Sequence, residues 1–171
     1  MMPLGHLGIP LVPFLLRKEP DWDIRLLALG AFLPDLIDKP LGHLILPENN
    51  GRIFAHTVLF AVVVIAAALA YRPLMPMSLG ISVHLLVDGM FLDPHGAFWP
   101  LFGAFESTDY ELIMWLHAFS DPFTLVEELF GLSVVAFIIW KYGLLHRRRL
   151  LKFLRTGRLR PIRKKGSTGR R

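Results

Sequence analysis

His84 and Asp88 stand four residues apart inside an apolar run from Leu74 to Leu92. In a helix that spacing puts both side chains on one face. Imidazole and carboxylate together are a ligand pair for a divalent ion. An ionisable group at bilayer depth costs roughly 2.5–3.5 kcal/mol, so it is rarely there without a task. The competing reading of the pair is a buried ion pair joining two helices. Other apolar segments also carry a His or an acid near one end: His6, then Asp35 and Asp38, then His56, then Glu127 and Glu128. The chain has no Cys, which excludes disulfides and thiolate ligands and leaves His, Asp and Glu to hold any metal.

The elements that must position these residues are helices in a membrane. The chain is 53% hydrophobic over 171 residues, with a mean hydropathy of +0.47, high for a soluble domain. Ile53 to Tyr71 contains no Lys, Arg, Asp or Glu, and Phe123 to Leu145 is broken only by Glu127, Glu128 and Lys141. Each is close to the roughly 20 residues that cross a hydrocarbon core. The expected fold is all-α, an integral membrane bundle of about five helices. The first covers residues 3–16; with no basic region before it and no small-residue cleavage site, it reads as a helix and not a signal peptide. Asp21 or Asp23 caps the second, which Pro34 should interrupt near Asp38. The third spans 53–71 and the fourth 74–92. Ser120-Asp121-Pro122 reads as a cap and first-turn proline for the fifth. Within the connection 93–122 a short helix is expected at about 109–118. Its aromatics read either as an interfacial belt or as a lid over a lipid-like substrate.

The net charge of +5 hides an asymmetry: twelve of the 19 Lys and Arg, and none of the 14 acids, follow Leu145. Two regions result, a membrane-embedded helical domain at 1–145 and a basic juxtamembrane tail at 146–171. The tail could bind nucleic acid. Its position directly after a spanning helix favours anionic lipid and a cytoplasmic C-terminus. With the tail inside, the Arg17-Lys18 and Arg72 turns also fall inside. His6, Asp35, Asp38, His56, His84, Asp88, Glu127 and Glu128 then gather in one layer near the outer face of a multi-pass cell-membrane protein.

The segments GHLGIPL, ALGAFLPDLIDK, GRIFAHTVLF and SVHLLVDGMFLDPHGAFWPLFG, in this order, resemble the membrane-bound, predicted metal-dependent hydrolases of bacteria and archaea. That family is distantly similar to zinc-dependent phospholipase C. The resemblance covers about residues 4–105. By match, it implies that His6, Asp35, His56, His84 and Asp88 are metal ligands. Many bacterial members have a further His before the third helix, where this chain has Gly51 followed by Arg52.

The chemistry of these residues is consistent with that resemblance. Three His and two Asp suit Zn²⁺ or another divalent ion. A bound metal with an open position brings its water toward a pKa of ~7. Asp38 and Glu128 could bridge metals or orient that water, and Arg52 could pair with a phosphate oxygen. His95, in DPHGAFWP, is a further candidate among the loop histidines. The leading expectation is a membrane-bound metal-dependent hydrolase of a phosphoester or lipid-like substrate. The alternative is a non-enzymatic transporter or scaffold in which the His and Asp pairs are structural.

Overall fold

The computed structural model describes residues 3–16, 21–46, 49–107 and 120–159. Among these every regular element is a helix, and there is no strand. Helix α1 is Pro3–Leu16, α2 Ile24–Pro40, α3 Val58–Ala70, α4 Met75–Val87, α5 Pro94–Ala97, α6 Pro122–Tyr142 and α7 Arg147–Thr156. The expected helix at 109–118 lies outside the described residues.

Two helix pairs form the frame, α2 along α4 and α1 along α6, with α1 also crossing α2 and α4. Glycines set how closely they approach. A Cβ on Gly30 would overlap the Met77 carbonyl, and one on Gly80 the Leu27 carbonyl. Gly8 of α1 and Gly131 of α6 meet backbone to backbone in the same way. Small residues at crossings are how helices pack where lipid is as apolar as the core.

Polar groups are buried together with an apolar core, while long apolar stretches of two helices face outward. His6, Asp38, His56, His84 and Glu128 are buried, while Val62, Val63 and Leu69 of α3 and Phe123, Val126 and Leu129 of α6 are exposed. Among the described residues α6 alone is both long and apolar enough to cross a membrane by itself; α3 is a shorter apolar helix.

Several boundaries differ from expectation. Helix α2 runs through Pro34 to Pro40, with the Pro34 ring fully buried. Packing against α4 outweighs the local cost, and prolines are tolerated in membrane helices where neighbours satisfy the freed backbone. The third helix starts at Val58, not at residue 53, because Thr57 caps it by accepting from the Phe60 N–H at 3.0 Å. The fourth stops at Val87, where Gly89 takes a left-handed φ of 69°. Asp88 is therefore the residue that closes α4, not part of an unbroken helix to Leu92. Part of the basic tail is itself a helix, α7.

The charged residues at the ends of the bundle are also engaged. Lys141, an interruption in an otherwise apolar helix, donates from Nζ to the Leu15 carbonyl at 2.9 Å and so caps the end of α1. At the same end, Asp23 caps α2 and pairs with Arg25. The Arg25 guanidinium holds the Asp23 carboxyl below its ordinary range.

Candidate metal centre

At the opposite end of the frame, three helix termini and one turn converge. Helix α1 brings His6 from its first turn, α2 brings Asp35 and Asp38 from its last two turns, and α4 ends in His84 and Asp88. His56 lies in the tight turn Phe54–His56 ahead of α3.

Asp38 explains that turn. Its carboxylate is completely buried. It accepts the backbone N–H groups of Ile53 at 2.9 Å, Ala55 at 2.9 Å and His56 at 3.0 Å. It also meets His56 Nδ1 at 2.8 Å. A carboxylate already accepting backbone donors takes the imidazole proton as well, so Nδ1 donates and the Nε2 lone pair of His56 points away. His84 is fixed in the same sense. Its Nδ1 lies 2.7 Å from the Ala31 carbonyl, which can only accept. Its Nε2 then also presents a lone pair.

The two Nε2 atoms are 3.1 Å apart. Two lone pairs at that distance repel unless a cation stands between them or one ring takes a second proton. Two nitrogens bound at about 2.0–2.1 Å to a tetrahedral Zn²⁺ stand about 3.3 Å apart. Carboxylates surround the pair: His56 Nε2 is 3.6 Å from Asp35 Oδ1 and 3.7 Å from Asp88 Oδ2. His84 Nε2 is 4.0 Å from Asp35 Oδ1. His6 Nε2 joins from the far side, 3.2 Å from Asp88 Oδ1. The ligand atoms form two overlapping groups, His6 with His84 and Asp88, and Asp35 with His56 and His84, each within 4.8 Å. One imidazole nitrogen holds one ion, so both groups share His84 as their hinge. Either group offers imidazole and carboxylate donors of the kind that could hold a divalent ion.

All five residues expected as ligands are brought together. The two acids expected to bridge metals or orient water hold backbone instead. Glu128, on α6, accepts from the Leu4 N–H at 3.1 Å and the Gly5 N–H at 2.6 Å, capping α1 from another helix and fixing the turn that carries His6. Asp38 orients His56 as just described. His95 is exposed, packed against Phe102, and stands outside both groups.

Two cations flank the cluster. Lys39 Nζ is 2.6 Å from Asp35 Oδ2, and Arg52 Nη2 is 2.9 Å from Asp88 Oδ2; both side chains are nearly half exposed. The Asp35–Lys39 pair was available to sequence reasoning as an i, i+4 spacing. The Ala31 carbonyl that orients His84 was not, since a backbone acceptor leaves no mark in residue type.

Helices packed through glycine, an apolar exterior and a buried layer of His and Asp define a helical membrane protein with a candidate metal centre. The chain belongs to the YdjM inner membrane protein family, whose sequence model matches residues 1–154. Comparison with curated proteins and with solved structures gives no match.

Proposed function

We propose that this chain is a membrane-bound metal-dependent hydrolase acting on a phosphoester or lipid-like substrate. The observation that carries the reading is the pair of Nε2 atoms 3.1 Å apart, each ring locked through its Nδ1 so that its lone pair faces the other. His56, His84, Asp35 and Asp88 would hold the ion, with His6 against Asp88. A donor set of imidazoles and carboxylates without thiolate suits Zn²⁺. When bound, such an ion supplies Lewis acidity and a water acidic enough to attack near neutral pH. The chain's own residues do the rest. Asp38 and the Ala31 carbonyl fix the tautomers of His56 and His84, and Glu128 fixes His6 through the α1 backbone. Arg52, half exposed beside Asp88, is placed to meet a phosphate oxygen.

A lipid-like substrate is supported by a groove of about 390 Å³ between α3 and α4, walled by Val58, Ala61, Val62, Leu85 and Leu86 and reaching His56. A mostly apolar pocket with few polar groups is the usual form of a ligand site. In this reading the chain crosses the membrane five times, with α7 in the cytoplasm and the metal centre near the outer face. A reporter fused after Arg171 should then be active only inside the cell.

The direct test is metal analysis of protein purified in detergent without chelators, followed by assay on phosphoesters. The reading expects about one divalent ion per chain. The scaffold alternative draws on the Asp35–Lys39 and Asp88–Arg52 pairs and expects none. A metal-free protein that takes up neither Zn²⁺ nor Mn²⁺ on titration would leave that alternative standing.

A further inference from the structure

Helix α7 carries five cations in ten residues, Arg147, Arg148, Arg149, Lys152 and Arg155, and no acid. At 3.6 residues per turn Arg147, at the helix start, falls on the side of the leucines, and the residues after it separate into two faces. Leu150, Leu151, Phe153 and Leu154 share one side, and Arg148, Arg149, Lys152 and Arg155 the other. Phe153 packs against the core cluster built around Leu11, Leu27 and Tyr142. Leu150, Leu151 and Leu154 are 39%, 42% and 51% exposed.

The helix is tied at both ends. It follows α6 after a left-handed turn at Gly143. At its C-terminus Arg25 Nη1 donates to the Leu154 carbonyl at 2.7 Å and the Arg155 carbonyl at 3.3 Å. The Ile24 N–H donates to the Gly157 carbonyl at 2.8 Å. Its direction is therefore set by the fold.

We infer that α7 lies in the plane of the membrane interface and docks on anionic phospholipid at the end of the bundle opposite the metal centre. Charge complementarity selects the occupant. A row of cations attracts anionic headgroups, and three uncovered leucines beside them enter the acyl boundary. Nucleic acid would satisfy the cations and leave the leucines in water. The position immediately after apolar α6 brings the leucines to the level of the interface without further folding.

Because the chain has no Cys, single labels report this cleanly. Full-length Leu151→Cys and Lys152→Cys proteins, each spin-labelled, are reconstituted in vesicles of neutral phospholipid and of neutral phospholipid with one quarter anionic phospholipid. In anionic vesicles the label at 151 should be shielded from a water-soluble relaxation agent and open to oxygen, and the label at 152 the reverse. Shielding at 151 should weaken in neutral vesicles and in high salt. Each cation near an anionic surface strengthens docking about fivefold. Neutralising Arg148, Arg149 and Lys152 together to Gln should therefore shift the docked-to-undocked ratio by about a hundredfold. A label at 151 that stays in water in anionic vesicles, or is equally shielded whatever the lipid charge, overturns the inference. So does shielding that appears only on adding nucleic acid, or spin–spin broadening that shows a second copy as the occupant. Metal content is measured on the same samples, so failure of the metal reading and of this one are separable.

Discussion

Replacing Asp38 by Asn removes one acceptor atom from a carboxylate that receives four hydrogen bonds. Oδ2 takes the Ile53 N–H, the His56 N–H and the His56 ring; Oδ1 takes the Ala55 N–H. The amide oxygen best replaces Oδ2, which turns the amide NH₂ toward the Ala55 N–H. One buried N–H then faces a donor, at about 1–3 kcal/mol. The three remaining bonds fall from charge-assisted to neutral, roughly 1 kcal/mol each. The sum is about 4–6 kcal/mol, a large share of the 5–15 kcal/mol typical of a folded chain. Loss of the carboxylate behind a ligating His also lowers metal affinity, typically 10–100-fold. Chelator competition on detergent-purified protein reads the second effect, and thermal unfolding the first. Thr57→Ala is the control. It removes the α3 cap, about 1 kcal/mol, without touching the His56 ring, and should leave metal affinity unchanged. If folded Asp38→Asn binds metal as tightly as the parent, Asp38 only staples a turn and the orienting role is wrong.

His84→Ala and Asp88→Asn should each abolish metal retention while folded protein is still recovered; under the ion-pair alternative they cost about 3–5 kcal/mol of stability and change no metal content. Gly80→Ala forces a Cβ against the Leu27 carbonyl and should lower stability by about 1–3 kcal/mol; unfolding at the parent's temperature would mean that α2 and α4 do not cross there as described. The Asp23–Arg25 clamp gives a pH dependence. Because the folded carboxyl is held below its ordinary 3.8, its contribution is fully present above that value and is lost as pH falls through the lowered one. Mobility of a label on α7 should therefore rise only in acid, and a rise near neutral pH would point to another group.

The residue types of the polar layer, and the chain segments that carry them, follow from the sequence because they are local facts. An acid or imidazole in an apolar run is conspicuous wherever the run packs. The cap at Asp121, and the pair Asp21 or Asp23 of which Asp23 caps α2, were legible for the same reason, a short polar side chain reaching the next N–H groups. Residue type could not show what each group faces. Asp38 and Glu128 look like reactive acids in a linear reading, yet both spend their oxygens on N–H groups of segments far away in the chain. The start of α3 and the end of α4 were misplaced because apolar periodicity continues past both. The Thr57 cap, behind a turn held by Asp38, sets the first boundary and one left-handed glycine the second, and neither interrupts the apolar run.

What the sequence determined by itself is the solvent, lipid, and the inventory of donors, since both depend only on composition along the chain. What tertiary structure alone decided is the approach of His56 to His84 across 28 residues. That contact exists because Gly30 and Gly80 let α2 and α4 meet backbone to backbone. The Ala31 carbonyl, on the same crossing, turns His84 inward. A hydrogen bond to a main-chain oxygen is set by where the backbone runs, and no side chain encodes it.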